Sequence, residues 1–252
     1  LRSLKEECNL RVAIMNPGEL EQRLQVEGIT VDLLDETKLS PLQIINGIIK
    51  LIKGFKPDII HTHRQKENIL GTIANYLSQL PRLTRVPSVR TVHGAPEHNA
   101  NGLKKLVIKL DLACGNHGQD AIISVSNDLS RKLESKFKPG HIHTIHNGIN
   151  VEQLLQISPA TDIRINAEGA VHIGIIGRLE PVKRVDIFLR TAAYLCVNQQ
   201  IPNLQFHVIG DGKLKTQLQT LAQELGLTDK VRFHGHRSDS QAAIAALDVI
   251  IM

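Results

Sequence analysis

The sequence predicts an α/β chain folded as two domains with parallel sheets. Three observations carry this. Short apolar runs alternate with longer helical patterns along the 252 residues, the order that right-handed strand–helix–strand crossovers produce. Several runs are near-continuous valine and isoleucine, as in strands covered on both faces. The alternation lapses once, in "VEQLLQISPATDIRINAEG" (151–169), which shows no clear period after Gln156. Residues 1–157 are therefore expected to form the first domain, 158–169 a linker and 170–252 the second.

The first domain's strands are expected at Val12–Asn16, Ile29–Leu34, Asp58–Thr62, Ser88–Val92, Ala121–Val125 and Ile142–Ile145. The second domain's are expected at Val171–Ile176, Leu204–Ile209, Val231–His234 and Asp248–Met252. Between them, "PLQIINGIIKLIKGF" sets Leu42, Ile45, Ile48, Ile49 and Ile52 on one helical face, with Gly54 near its stop. "ENILGTIANYLSQL" repeats the pattern from Ile69 to Leu80, and Ser126 is a good N-cap for a helix over 126–136. "PVKRVDIFLRTAAYLCV" starts at Pro181, suited to a first helical position, and stripes Val185, Phe188, Ala192 and Leu195. "KLKTQLQTLAQELG" stripes Leu214, Leu218, Leu221 and Leu225 and stops at Gly226.

Bulk properties narrow the function. The formal charge is +5 and aromatics make up 3%, so no basic surface with interleaved aromatics is available for nucleic acid. A mild positive balance suits small anionic ligands. Cys8, Cys114 and Cys196 are far apart and form no CxxC pair, which fits a reducing, cytoplasmic compartment. No apolar run approaches the roughly 18 residues of a membrane span.

The segment richest in chemistry is "VHIGIIGRLEPVKRVDIFL" (171–189). A strand ends at Gly177, Arg178 follows, and Pro181 opens a helix whose first turn carries Lys183. Such a turn brings backbone N–H groups and a helix N-terminus to the carboxyl edge of a parallel sheet, where an anion is favoured. A planar guanidinium and a point-charge ammonium suit a diphosphate. The same residues suit equally a surface arginine and lysine flanking an ordinary turn. The spacing is neither GxxxxGK[ST] nor GxGxxG.

This stretch resembles the "GRL…K" signature of family-4 (group 1) retaining glycosyltransferases, whose GT-B architecture faces two Rossmann-like domains across a cleft. "KPDIIHTH", "RTVHG", "AIISVSNDL", "TIHNGIN", "FHVIGDG" and "VRFHG" resemble further motifs of that family in the same order, over about 200 residues. The resemblance implies transfer of a sugar from a nucleotide-diphosphate sugar to an acceptor: a sugar, a lipid-linked glycan or a small molecule. Gly177, Arg178 and Lys183 would hold the donor diphosphate. His93 would act at the transferred sugar, although a strand-end histidine can also simply cap the next turn. Gly235 and His236 would cradle the nucleotide base. Gly94 would permit close backbone approach, and Asn147 is first a turn residue with an acceptor-side role open to it. No cofactor and no obligatory metal are implied.

His61 and His63 in "DIIHTHRQKENILG" pose a separate question. Alternate strand residues face one way and can share a metal, with His141, His143 and His146 as further donors. That reading is a metal-dependent hydrolase. The resemblance places the same pair instead on the cleft wall, on the acceptor side. A nucleotide-sugar epimerase of the same fold is a third possibility.

The first residues contain no initiator methionine and the last stop inside "LDVIIM". By the resemblance, the first domain lacks its opening strand and glycine loop, and the second lacks its paired glutamates. The chain is expected to bind nucleotide diphosphates weakly, to transfer no sugar at a useful rate alone, and to expose open sheet edges. Its basic balance allows peripheral contact with the inner, anionic membrane face.

Overall fold

The computed structural model describes residues 4–80, 85–94, 102–164, 169–199 and 203–252. The chain divides into two compact units, Leu1–Gly148 and Ile149–Met252. All ten expected strands form, and every strand pair is parallel.

The first unit runs β1 (Arg11–Ile14), α1 (Glu19–Val26), β2 (Thr30–Leu33), α2 (Pro41–Phe55), β3 (Ile60–Thr62), α3 (Gln65–Ser78), β4 (Ser88–Val92), α4 (Leu103–Gly118), β5 (Ala121–Ser124), α5 (Asn127–Glu134) and β6 (Ile142–Thr144). Its strands form two sheets, β1-β2 and β3-β4-β5-β6. A helical layer joins them: Met15 beyond β1 clusters with Ile44 and Ile45 of α2 and Leu70 and Ala74 of α3. Ser40 starts α2 with a capping box to Gln43, and Lys56 ends it in a left-handed conformation at φ 53°. The buried stripe of α2 is rotated from the expected one. Ile44, Ile45 and Ile52 are buried, while Leu42, at the stripe's edge in the first turn, is 73% exposed.

Helix α3 buries a polar face of Asn68, Thr72, Asn75 and Ser78. These groups are satisfied, as burial requires. Asn75 exchanges hydrogen bonds with the Val86 backbone at 2.8 and 2.9 Å. Asn68 donates to Asp111 of α4 at 2.8 Å and accepts from Gln119 at 2.6 Å. Asp111 also pairs with Arg90 of β4 at 2.9 Å, both side chains buried. The absence of a Cβ at Gly115 and Gly118 lets α4 lie against Phe137 and Thr72.

The second unit runs α6 (Val151–Leu155), β7 (Val171–Ile176), α7 (Val185–Ala193), β8 (Leu204–Ile209), α8 (Lys215–Glu224), β9 (Val231–Gly235), α9 (Ser240–Ala245) and β10 (Val249–Ile251), with strand order β10-β7-β8-β9. One sheet face packs Ile175, Phe206 and Val208 against Val185, Phe188 and Leu189 of α7 and Leu218 and Ala222 of α8. The other packs Ile209 against Ala243 and Ala246 with Ile163. Ile163 comes from the expected linker, of which 165–168 lie outside the described residues. Its neighbours are also tied down: Ala160 donates to Ala242 at 2.9 Å, Asp162 pairs with Arg237 at 2.5 Å, and Arg164 pairs with Asp248 at 2.5 Å. Residues 160–164 therefore belong to the second unit's packing.

Across this sheet runs a ladder of three histidines. His172 Nδ1 lies 3.0 Å from His207 Nε2, and His207 Nδ1 lies 3.0 Å from His234 Nε2, with rings stacked at 5.2 Å. Burial first, then the charges of His234 and His172, push His207 down to about 3 from its ordinary 6.5. The folded chain holds this ring neutral, whereas the unfolded chain protonates it below about 6.5. Stability present above pH 6.5 is thus lost as pH falls toward 3. The urea midpoint of the second unit should be lower at pH 5 than at pH 7.5, with the His207 ring still neutral by NMR at pH 5. A protonated His207 in folded protein at that pH contradicts the assignment.

Candidate functional site

The carboxyl edges of β7, β8 and β9 are stitched together by their turns. The Gly177 N–H donates to Ile209 O at 3.0 Å, Leu179 N–H to Asp211 O at 2.9 Å, and Gly210 N–H to Gly235 O at 2.8 Å. Backbone meets backbone so closely that a Cβ on Gly210 would lie 1.9 Å from Gly177 O, and one on Gly212 would lie 2.6 Å from Leu179 O. Gly210 also holds φ at +140°. The glycines of this turn are required by its contact with the Gly177 turn.

Arg178 and Lys183 both project from that turn. Each is exposed, and neither forms an ion pair with any described residue. Lys183 lies across Gly177, where an added Cβ would sit 3.3 Å from Lys183 Cε. The position of Lys183 differs from the one its spacing predicts. Lys183 is not in the first turn of α7 but in a separate 3-10 turn, Pro181–Lys183, ended by Arg184 at φ 48°. Helix α7 begins only at Val185. The short turn fits because Arg184 in the left-handed region breaks the helical path, and its guanidinium is secured to Asp186 at 3.1 Å.

Gly235 holds φ at +70° next to the Asp211–Lys215 pair, which closes at 2.7 Å. The Lys215 hydrogen bond, followed by the Gly212 N–H, holds the Asp211 carboxyl below its ordinary range, and the nearby His236 adds to this. Lys215 is thus neutralised locally, while Arg178 and Lys183 remain available to an anion. The structure brings together Gly177, Arg178 and Lys183, and puts Gly235 and His236 on the adjoining turn.

In the first unit the ends of β3 and β4 bring three histidines to one face. His61 and His63 stack at 4.4 Å, and His63 and His93 at 5.5 Å. His61 Nε2 meets Thr91 Oγ1 at 2.8 Å, and His63 Nδ1 meets His93 Nε2 at 3.1 Å. Burial, then the neighbouring imidazoles His61 and His93, push His63 down to about 4. His61 is lowered by burial and then by His93. Both rings are neutral near pH 7, able to donate one hydrogen bond and accept another. Among the described residues no group of three His, Cys, Asp or Glu is placed to hold a metal ion.

His63, His93 and Gly94 line a pocket of about 170 Å³ with Gln65, Arg90 and Asp111, backed by apolar residues of α4 and α5. Arg90, Gln65 and Asp111 have no place in the sequence reading. Buried charges on a strand and on an unpredicted helix leave no periodic signature. Asn147 lies exposed in the loop after β6 and is not among the residues lining this pocket.

Comparison with known proteins follows the same division. The model of Glycosyltransferase Family 4 matches residues 5–153, and that of Glycosyl transferases group 1 matches residues 162–252. The chain is 29% identical over 222 residues to the UDP-Gal:alpha-D-GlcNAc-diphosphoundecaprenol alpha-1,3-galactosyltransferase of Escherichia coli, covering 85% of this chain and 56% of that one. With the D-inositol 3-phosphate glycosyltransferase of Streptomyces avermitilis it shares 24% identity, covering 82% and 48%. The chain thus spans about half the length of these relatives. Among solved structures, Anabaena Alr3699/HepE in complex with UDP-glucose superposes with TM-score 0.79 at 20% identity, covering 99% of this chain and 66% of that one.

Replacing Gly210 with alanine forces the Cβ into the Gly177 carbonyl and should destabilise the second unit by about 2 kcal/mol or more. Urea unfolding measures this. An unchanged midpoint would show that the two turns do not press on each other.

Proposed function

The chain belongs to glycosyltransferase family 4, and from that premise we propose that it transfers a sugar from a nucleotide-diphosphate sugar to an acceptor, with retention at the anomeric carbon. One observation carries the reading: Arg178 and Lys183, exposed and without an ion-pair partner among the described residues, share a single glycine turn at the carboxyl edge of a parallel sheet. Departure of a nucleoside diphosphate builds negative charge on the distal phosphate. Two fixed cations at that point stabilise the transition state more than the bound donor, which is what lowers a barrier. Gly177 permits close approach of the diphosphate, and the Gly235–His236 turn takes the base, mainly through its backbone.

The first unit supplies the acceptor side. His93, held by its hydrogen bond to His63, offers its remaining ring nitrogen to a hydroxyl of the transferred sugar. His61, His63 and Gly94 form the acceptor surface around it, with Asn147 contributing separately from the exposed loop after β6. The E. coli relative is named for UDP-galactose and a diphosphoundecaprenol-linked acceptor, which supports a uridine nucleotide as donor and a lipid-linked glycan as acceptor. A lipid-linked acceptor of that kind is compatible with a cytoplasmic protein working at the inner membrane face. The family match and the relatives favour neither an epimerase nor a metal-dependent hydrolase.

Calorimetric titration with UDP-galactose and UDP-glucose tests the donor site. Arg178→Ala and Lys183→Ala should each weaken binding by roughly tenfold, the value of a charge-assisted hydrogen bond. His236→Ala should change it far less. Unaltered affinity in both cation variants would refute the assignment.

A further inference from the structure

The pocket beside His93 has a floor as well as a mouth. Its lining grades from exposed to buried: His63, His93 and Gly94 are exposed, while Arg90, Val92, Leu133 and Phe137 are each 6% exposed or less. The volume of about 170 Å³ is close to the roughly 150 Å³ of a cavity that encloses one benzene. It is well below the roughly 300 Å³ or more of a site that takes a whole small-molecule ligand. Such a space holds a substituent of about six heavy atoms or fewer, and a sugar ring with its hydroxyls stays outside it.

The chemistry of the lining selects the substituent. Ile108 and Leu112 of α4, with Leu133 and Phe137 behind them, present carbon, so a hydroxyl placed among them loses its hydrogen bonds to water. Arg90 interrupts this wall. It is buried, and its Nε–H has no hydrogen-bond partner among the described residues. A buried donor in that state is costly, and an incoming oxygen that accepts from it removes the cost. That oxygen does not belong to an anion. The Arg90 charge is already matched by Asp111 at 2.9 Å, and Asp111 also accepts from Asn68 at 2.8 Å and from Gln65 at 3.3 Å. His63, neutral near pH 7, brings no charge to the mouth. A carboxylate or phosphate would enter without a counter-ion of its own. A neutral carbonyl bearing a small apolar group meets both demands. We propose that this pocket receives the acetamido group of an N-acetylated amino sugar, its methyl against Leu112, Leu133 and Phe137 and its carbonyl oxygen accepting from Arg90. The pyranose ring stays at the mouth, where the ring nitrogens not used in the His63–His93 hydrogen bond meet its hydroxyls. Assigning this sugar to the acceptor rests on the transferase reading; the preference for an acetamido group does not.

Titration and saturation-transfer NMR with methyl α-D-glucoside, its 2-acetamido-2-deoxy analogue and its glucuronide test the pocket. The acetamido sugar should bind at least about tenfold more tightly than the other two, and its acetyl methyl should receive the strongest saturation. Ile108→Phe fills the pocket from a half-buried position and should abolish the preference. Arg90→Lys keeps a cation opposite Asp111 but removes the Nε–H, and should reduce the preference roughly fivefold. Leu42→Ser, at an exposed leucine of α2, should leave it unchanged. Urea midpoints establish that each variant is folded; if Ile108→Phe is not, the Arg90→Lys result and the methyl saturation decide. Equal affinity for the three glycosides, tighter binding of the glucuronide, or no binding of any of them overturns the proposal. So does a preference that survives in folded Ile108→Phe. UDP affinity of the same preparations separates the two readings. UDP binding without an acetamido preference removes the pocket assignment alone, and an acetamido preference without UDP binding removes the transferase reading alone.

Discussion

The second unit depends on one contact between two pieces of backbone. Gly210 and Gly212 press on Gly177 and Leu179 with no room for a side chain, and N–H groups cross-link the same turns. This fixes the loop after β7 relative to those after β8 and β9. It also leaves Arg178 and Lys183 on a rigid base without engaging either one. A flexible turn would let the two cations find carboxylates such as Asp211, which Lys215 instead occupies. Preorganised cations held apart from local acids are what an anion site requires, because no rearrangement is needed when charge develops.

The first unit reaches rigidity by a different route. Its centre is polar: Arg90, Asp111, Asn68 and Gln119 are buried and mutually bonded. Such a network ties β4, α3 and α4 in one register, since misplacing any member strands a buried charge. The ends of β3 and β4 are thereby held so that His61, His63 and His93 stack on one another. The rings of His61 and His63, neutral near pH 7, form a surface that exchanges hydrogen bonds with hydroxyls.

Much of this was legible in the sequence because parallel strands announce themselves as branched apolar runs. Ser88–Val92, Val171–Ile176 and Leu204–Ile209 have the bounds their residues indicate. Helix α4 was not legible. It has no side-chain N-cap, and its apolar residues point both into the fold and out of it, which removes the single stripe that marks an amphipathic helix. Helix α1 is short with mostly charged and polar residues, so its pattern is weak. In the site, Arg178 and Lys183 were visible from their place after a glycine. Arg90 and Asp111 were not, because pairing between a strand and a distant helix leaves no local trace. The histidines of β7, β8 and β9 read as ordinary strand residues, because only the register of the sheet aligns them.

The central claim is that the Gly177 turn grips the second phosphate of a nucleoside diphosphate. Calorimetry with UDP and UMP on the wild-type chain tests it most directly. UDP should bind at least about tenfold more tightly than UMP, reflecting added charge-assisted hydrogen bonds, and raising the salt concentration should narrow the gap. Equal affinities for the two nucleotides would contradict the account.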